Sequence, residues 1–136
     1  MSCIFCKIVA GELPADKIYE DEKSLVFLSI GPINKGHALV IPKEHYNDYL
    51  DTPDELLVHL TQVGKKVAQA VKQATGANGI NFGVNNGVAA GQLIFHTHLH
   101  IIPRFNNDGL KSWPDKEYEN DDEKSKFAEK IKRELN

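Results

Sequence analysis

The sequence predicts one α+β domain built on an antiparallel sheet. Three observations predict it: several short β-prone segments, one long amphipathic helical segment, and no regular alternation of strands with helices. The chain has 136 residues, of which 41% are hydrophobic and 26% are charged. A domain of this size buries a sufficient core without a disulfide framework, and the presence of only two cysteines agrees with that expectation.

The first strands are expected in a hairpin near the N-terminus. Residues 18–19 and 25–28 are β-prone and are separated by the polar segment 20–24, which indicates an irregular turn. Residues 37–41 form a short apolar run closed by Pro42, which is typical of a buried strand.

The longest helix is expected to begin at Thr52 and end at Gly76. Thr52, Pro53 and Glu55 match a capping box, in which the hydroxyl and the carboxylate satisfy exposed backbone N–H groups. Gly76 suits the left-handed conformation that ends a helix. The apolar stripe of this helix comprises Leu56, Leu60, Val63, Val67, Ala70, Val71 and Ala74.

Two further strands are expected at residues 79–84 and 93–102, separated by the loop 85–91, which is rich in Gly and Asn. The last 26 residues, 111–136, include 15 charged residues and cannot contribute much core. Their narrow apolar stripe, Phe127, Ile131 and Leu135, would dock on the sheet or on a partner, or belong to a solvated helix. We therefore expect a domain at 1–110 and a charged, partly helical extension at 111–136.

Composition excludes two classes of partner. The formal net charge of -3 provides no basic field for nucleic acid, and no apolar run approaches the roughly 20 residues of a membrane span. The first seven residues lack the basic and apolar regions of an export signal. We expect a cytoplasmic protein with neither nucleic acid nor a membrane as its main partner.

The strongest functional signal is a set of three histidines at alternating positions. In a strand, His96, His98 and His100 would share one face. The reverse face would carry Phe95, Thr97, Leu99 and Ile101. Polar groups that converge on one surface typically mark a site.

Two chemistries fit this histidine face. Three imidazoles can hold a metal that activates water. Alternatively, one neutral imidazole attacks phosphorus while its neighbours stabilise the phosphate charge. The loop 85–91 favours the second chemistry, because unhindered backbone N–H groups suit phosphate oxygens.

The cysteine pair Cys3-x-x-Cys6 has three interpretations: free thiols, a redox pair or half of a zinc site. The redox interpretation is the weakest, because the pair lacks the strand-to-helix context of a thioredoxin-like site.

Four blocks of the sequence resemble the histidine triad (HIT) family of nucleotide hydrolases and transferases. The block 91–104 reads Gly-Gln, then His-x-His-x-His, then two apolar residues, and the blocks 3–8, 27–32 and 36–45 match in order. The resemblance spans residues 3–105. It implies a sheet of about five strands, one long core helix, a short N-terminal helix, and a homodimer with a sheet continued across the pair.

The resemblance also implies a two-step reaction at an α-phosphate. His98 would attack phosphorus of a purine nucleoside phosphoramidate or dinucleoside polyphosphate, and water would then release a nucleoside monophosphate. His100 and Asn85 would contact phosphate or leaving-group atoms. Backbone N–H groups of the segment Gly91, Gln92 and Leu93 would support the charge, and the base pocket would comprise Phe5, Ile8, Phe27 and Ile30.

Two positions depart from the family pattern. Ser29 stands where relatives carry an acidic or amide residue that binds the ribose hydroxyls, and Leu93 stands where relatives often have Ser or Thr. These departures leave open a second function, that of a nucleotide-binding adaptor with low turnover.

The resemblance further implies a structural zinc ion and no organic cofactor. The ligands would be Cys3, Cys6, His45 and His96, so that the first triad histidine binds metal beside the nucleophile. Of the remaining histidines, His37 is expected to order its loop and His59 to face solvent.

Overall fold

A five-stranded antiparallel sheet, in the order β1-β2-β3-β5-β4, forms the centre of the protein. The structure is a computed structural model that describes residues 2–135. The strands are β1 (Lys17–Glu20), β2 (Ser24–Leu28), β3 (Ala38–Pro42), β4 (Gly79–Gly83) and β5 (Leu99–Arg104). The predicted fold class is confirmed.

Within residues 2–135, three α-helices accompany the sheet: α1 (Ile4–Val9), α2 (Asp54–Thr75) and α3 (Asp121–Leu135). The apolar face of α2 packs on one side of the sheet. The shorter α1 packs on the other side, where Phe5 and Ile8 join Phe27, Leu39 and other residues of β2 and β3. Strands β2 and β3 are therefore buried on both faces.

The two ends of α2 differ in how well the sequence predicts them. Gly76 ends the helix with φ 72°, as predicted, and its N–H donates to the Lys72 carbonyl. The predicted capping box is wrong, because Pro53 occupies the cap position and makes no side-chain bond. The Thr52 hydroxyl instead donates to the Asp48 carbonyl at 2.6 Å and lies 2.7 Å from the buried hydroxyl of Thr97.

The last strand begins six residues later than predicted, at Leu99 instead of residue 93. In the ladder with β3, the pairing ends at Val40 and Leu99. Pro42 has no N–H to extend that ladder, and the Thr97 N–H donates to the Tyr46 carbonyl instead. His96 and His98 therefore precede the strand, and only His100 lies within it.

The β1-β2 turn is joined to α2 by a hydrogen bond between Asp21 and His59. Asp21 accepts backbone N–H groups of Lys23 and Ser24, and its other oxygen lies 2.9 Å from His59 Nε2. His59 is therefore bound to a carboxylate, and the expectation that it simply faces solvent is wrong.

The C-terminal extension ends in α3, which buries none of its described residues. Its predicted apolar stripe is exposed, with 47% of Phe127, 59% of Ile131 and 80% of Leu135 accessible. Among residues 2–135, no helix is both long enough and apolar enough to cross a membrane.

Candidate functional site

A large open cavity of about 1110 Å³ lies on the α1 side of the sheet. His98 and His100 line it, and so do all of the predicted substrate residues except Gln92. These are Phe5, Ile8, Phe27, Ser29, Ile30, Asn85, Gly91 and Leu93. The structure thus brings together groups that lie up to 95 residues apart in the chain, counted from Phe5 to His100.

The apolar end of the cavity is formed by α1 and β2. Phe5, Ile8 and Phe27 are buried there, whereas Ile30 is fully exposed and lies at the rim. Ser29 lies beside Ile30, and its hydroxyl accepts the Gly31 N–H at 3.3 Å. An apolar slot with one short hydroxyl at its rim suits a planar ring attached to a polar group.

The ring of His98 is held in one tautomer. Its Nδ1 lies 2.7 Å from the backbone carbonyl of His96, and a carbonyl only accepts, so Nδ1 carries the proton. In the neutral ring Nε2 then keeps its lone pair. Burial lowers the pKa of His98, although the bond to the His96 carbonyl opposes that effect, so the ring is neutral near pH 7. A neutral imidazole with a free lone pair in a cavity is a competent nucleophile.

The ring of His100 is oriented by His37. The Ile33 N–H donates to His37 Nδ1 at 3.1 Å, so the proton of neutral His37 lies on Nε2. That Nε2 lies 2.9 Å from His100 Nδ1, which must accept, and the proton of His100 is then on Nε2. His100 Nε2 is buried without a hydrogen-bond partner in the described part of the chain. Burial lowers the pKa of His100 to about 4, and the neighbouring His98 and His37 add to that effect.

The buried N–H of His100 lies in a ring next to His98 and lacks an acceptor among the described residues. The His98 and His100 rings lie 4.8 Å apart, centroid to centroid. A substrate oxygen or nitrogen in the cavity would supply the acceptor that His100 Nε2 lacks, which offsets the cost of burying that group.

The four predicted metal ligands, Cys3, Cys6, His45 and His96, converge beside this pair, and we name them the Cys2His2 cluster. One ligand atom from each lies within 4.8 Å of all the others. Cys3 Sγ lies 3.4 Å from His96 Nδ1, Cys6 Sγ lies 3.4 Å from His45 Nδ1, and the two Nδ1 atoms are 3.2 Å apart. Zinc bonds of about 2.0–2.3 Å place tetrahedral ligand atoms about 3.3–3.8 Å apart, so the cluster fits that ion.

The opposite ring nitrogens of both histidines also suit a metal. His96 Nε2 donates to the Pro42 carbonyl at 2.8 Å, and His45 Nε2 donates to Asn47 Oδ1 at 3.2 Å. These bonds leave both Nδ1 lone pairs directed at the thiols, as ligating histidines require. Burial lowers the pKa of His96 to about 4, which keeps this ring neutral. The residues present therefore fit a zinc ion.

The loop before the triad is ordered by Gln92. This side chain is 2% exposed, accepts the Gly87 N–H at 2.8 Å and donates to the carbonyls of Asn47 and Ile94. Its backbone N–H donates to the Gly87 carbonyl and is not free for a phosphate. The prediction that Gln92 lines the substrate site is therefore wrong. Leu93, 87% exposed, and Asn85 lie on the cavity.

The far wall of the cavity is not predicted from the sequence. Leu110, Lys111, Ser112 and Trp113, mostly from the predicted extension, line it together with Arg104. Arg104 donates to both oxygens of Asp108, to Asn81 Oδ1 and to the Leu110 carbonyl, so it holds this segment against the sheet. The alternation of His100, Ile102 and Arg104 along one strand face was the available signal.

Comparison with known proteins identifies the family. The model of the HIT domain matches residues 10–107. An adenosine 5'-monophosphoramidase of Schizosaccharomyces pombe is 47% identical over 116 residues, which is 84% of this chain and 84% of that protein. An adenylylsulfatase of Arabidopsis thaliana is 46% identical over 108 residues, covering 79% of this chain and 55% of that protein.

Solved structures agree with these relatives. A structure from Streptococcus mutans has a TM-score of 0.93 at 41% identity and covers 99% of this chain and 86% of its own. A zinc-bound histidine triad family protein from Mycobacterium smegmatis has a TM-score of 0.78 at 47% identity. The match covers 86% of this chain and 85% of that protein's chain.

Proposed function

The chain belongs to the HIT domain family, and we propose that it is a nucleotidyl hydrolase that acts through His98. Its substrate would be a purine nucleoside phosphoramidate or a dinucleoside polyphosphate, and its product a nucleoside monophosphate. The observation that carries the proposal is the His98 ring, because Nδ1 is bound by the His96 carbonyl and Nε2 keeps its lone pair in the cavity.

In the first step the Nε2 lone pair of His98 forms a bond to the α-phosphorus. The bond from phosphorus to the leaving nitrogen or oxygen breaks with its electron pair. The neutral His100 ring donates a hydrogen bond from Nε2–H to the leaving atom, and solvent supplies the proton that this atom takes up. In the second step water attacks the same phosphorus and its proton passes to solvent. The N–P bond breaks, the electron pair returns to His98, and a nucleoside monophosphate is released.

The cavity supplies the other contacts that this reaction needs. We assign phosphate contacts to Asn85 and to the backbone N–H of Leu93, and the purine to the apolar end formed by Phe5, Ile8 and Phe27. The cavity volume of about 1110 Å³ exceeds the roughly 300–1,000 Å³ of most small-molecule pockets. It therefore leaves room for a leaving group beyond the nucleoside monophosphate.

We further propose that the Cys2His2 cluster holds a structural zinc ion. Support comes from the ligand geometry and from the zinc-bound relative. A closed tetrahedron of four protein ligands stabilises a fold and leaves no open position for water. Metal analysis of protein purified without chelator should find zinc, and the double variant Cys3→Ser/Cys6→Ser should lose it. Zinc retained by the double variant would refute this ligand set.

The hydrolase is tested by release of AMP from adenosine phosphoramidate and from diadenosine polyphosphate. His98→Ala should lose at least about 10²-fold in kcat, because the nucleophile is gone. His59→Ala is the matched control, since its ring bonds Asp21 outside the cavity and its removal should leave kcat unchanged. Undiminished turnover in His98→Ala would disprove the mechanism.

A low-turnover nucleotide-binding adaptor is the second candidate function. Two observations favour it: Ser29, which stands where relatives carry a ribose-binding residue, has a single short hydroxyl, and Leu93 presents an exposed apolar side chain on the cavity. Tight AMP binding without product from any substrate of the panel would support the adaptor instead of the hydrolase.

We also propose the homodimer that the family resemblance implies. β4 is an edge strand of the sheet, and Phe82 on it is 54% exposed. An unpaired edge with an exposed aromatic side chain is suited to pairing with a second copy. Sedimentation equilibrium should give twice the chain mass of 15.2 kDa, and a monomer would contradict the proposal.

A further inference from the structure

Helix α1 carries both thiols of the Cys2His2 cluster and one wall of the substrate cavity. Cys3 caps the helix, its Sγ accepts the Cys6 N–H at 3.3 Å, and Phe5 lies between the two cysteines. The helix has six residues, far fewer than the roughly 12–15 that give an isolated helix even marginal stability. Its position therefore depends on its packing and on whatever holds the two thiols.

The ring of Phe5 contacts the rings on both sides of the site. It meets His98 edge-to-face, with centroids 5.3 Å apart and planes at 86°, and it meets His96 at 5.8 Å and 70°. Phe5 is 5% exposed, so these contacts are made in a dry environment. An edge-to-face pair restricts the orientation of both rings, and among residues 2–135 the His98 ring has one hydrogen-bond partner, the His96 carbonyl.

We propose that Phe5 is a positioning residue that makes the orientation of the His98 ring depend on metal in the Cys2His2 cluster. The proposal rests on the metal site and the function proposed above. With metal bound, Cys3 and Cys6 fix the first turns of α1 and hold Phe5 against His98. Without metal, the short helix moves, Phe5 leaves the His98 ring, and the apolar end of the cavity opens.

Metal in the Cys2His2 cluster has a second route by which to orient His98, and the experiment must distinguish it from the route through Phe5. His96 is a member of the cluster, and its backbone carbonyl accepts the His98 Nδ1 proton at 2.7 Å. Metal could therefore orient His98 through this carbonyl alone. The carbonyl route survives the loss of the Phe5 ring, whereas the proposed route does not.

The experiment measures the NMR resonances of the His98 ring, which can be observed whether or not the protein turns over a substrate. Protein labelled with ¹⁵N-histidine is compared by NMR with zinc bound and after chelation, and AMP affinity is measured in both states. In the unaltered chain, zinc removal should shift the His98 ring resonances and weaken AMP binding by at least about fivefold, the lower end of ordinary coupling between sites. In Phe5→Leu, zinc removal should shift them little and change AMP affinity by less than about twofold.

Phe27→Leu is the matched control. Phe27 lines the same cavity and its ring centroid lies 5.3 Å from that of Phe5, but among the described residues it forms no aromatic ring pair with His98. The full zinc effect should persist in this variant. A zinc effect of the same size in Phe5→Leu as in the unaltered chain would overturn the proposal and assign the coupling to the His96 carbonyl.

The remaining outcomes are also decisive. If the chelated protein unfolds, cadmium replaces zinc, and its longer bonds should shift His98 in the unaltered chain but not in Phe5→Leu. If metal analysis finds no bound metal in the protein as purified, the proposal fails. If zinc removal shifts His98 in the unaltered chain but not in Phe5→Leu, and no substrate is turned over, the hydrolase assignment fails and the Phe5 coupling stands.

Discussion

His37 Nε2 lies 2.9 Å from His100 Nδ1, and this contact joins a loop histidine to the triad. The opposite nitrogen of His37 accepts the Ile33 N–H. The chain of bonds from Ile33 through His37 to His100 thus places a proton on His100 Nε2, a buried atom with no other hydrogen-bond partner among the described residues, in a ring that lines the cavity. A residue outside the triad determines which atom of the triad can donate to substrate.

Replacement of His37 should therefore impair turnover more than binding. In His37→Leu the His100 ring loses its orienting partner, and we expect kcat to fall roughly tenfold to a hundredfold with a far smaller change in KM. His37→Gln keeps an N–H donor near the same place and should retain more activity. Equal losses in the two variants would show that the His37 side chain acts only by its shape. Steady-state kinetics on adenosine phosphoramidate measures the difference.

The buried His100 ring should make stability dependent on pH. Burial lowers the pKa of His100 to about 4, below its ordinary value of 6.5. Below pH 6.5 the unfolded chain therefore binds a proton that the folded chain does not, so stability is complete above pH 6.5 and is lost as pH falls toward 4. The loss at pH 5 should approach about 2 kcal/mol.

Urea unfolding at pH 7.5 and pH 5.0 tests this pH dependence. His100→Asn removes the titrating ring and leaves the Cys2His2 cluster in place, so any loss of metal at low pH affects both proteins. The free energy of unfolding should fall more between the two pH values in the unaltered chain than in His100→Asn. An equal fall would show that His100 is not the group that titrates.

Gln92 should contribute to stability instead of substrate contact. In Gln92→Leu, the Gly87 N–H and the carbonyls of Asn47 and Ile94 lose their partner, and we expect a loss of about 2–4 kcal/mol in the free energy of unfolding. Leu93→Ser changes the exposed neighbouring side chain and should alter stability by less than about 0.5 kcal/mol. Urea denaturation compares the two, and equal stability of both variants would contradict the assignment.

The sequence predicts those features that depend on local pattern. The alternation of His96, His98 and His100, the apolar strands and the glycine that ends α2 all follow from the spacing of neighbouring residues. The convergence of the Cys2His2 cluster was predicted through the family resemblance, because its members lie up to 93 residues apart from Cys3 to His96.

The features that the sequence did not predict depend on tertiary contacts. His37 faces His100 only because Leu39 pairs with His100 across β3 and β5, and that register is not visible in either segment alone. The sequence predicts that the Thr52 hydroxyl caps α2. In the structure this hydroxyl is instead bonded to the Asp48 carbonyl and to the Thr97 hydroxyl. When a polar side chain has two possible hydrogen-bond partners, the tertiary packing determines which partner it binds.

Arg104 should hold the far wall of the cavity in place. Its guanidinium makes two bonds to Asp108 and one to the Leu110 carbonyl, which a lysine ammonium cannot reproduce. The segment beyond Leu110 carries Trp113, the only tryptophan of the chain, which lines the cavity and is 92% exposed.

In Arg104→Lys we therefore expect greater motion of Trp113 and a lower fluorescence anisotropy. Arg133→Lys, which changes the other arginine of the chain on exposed α3, should leave the anisotropy unchanged, and equal anisotropy in both variants would show that Arg104 does not order this wall.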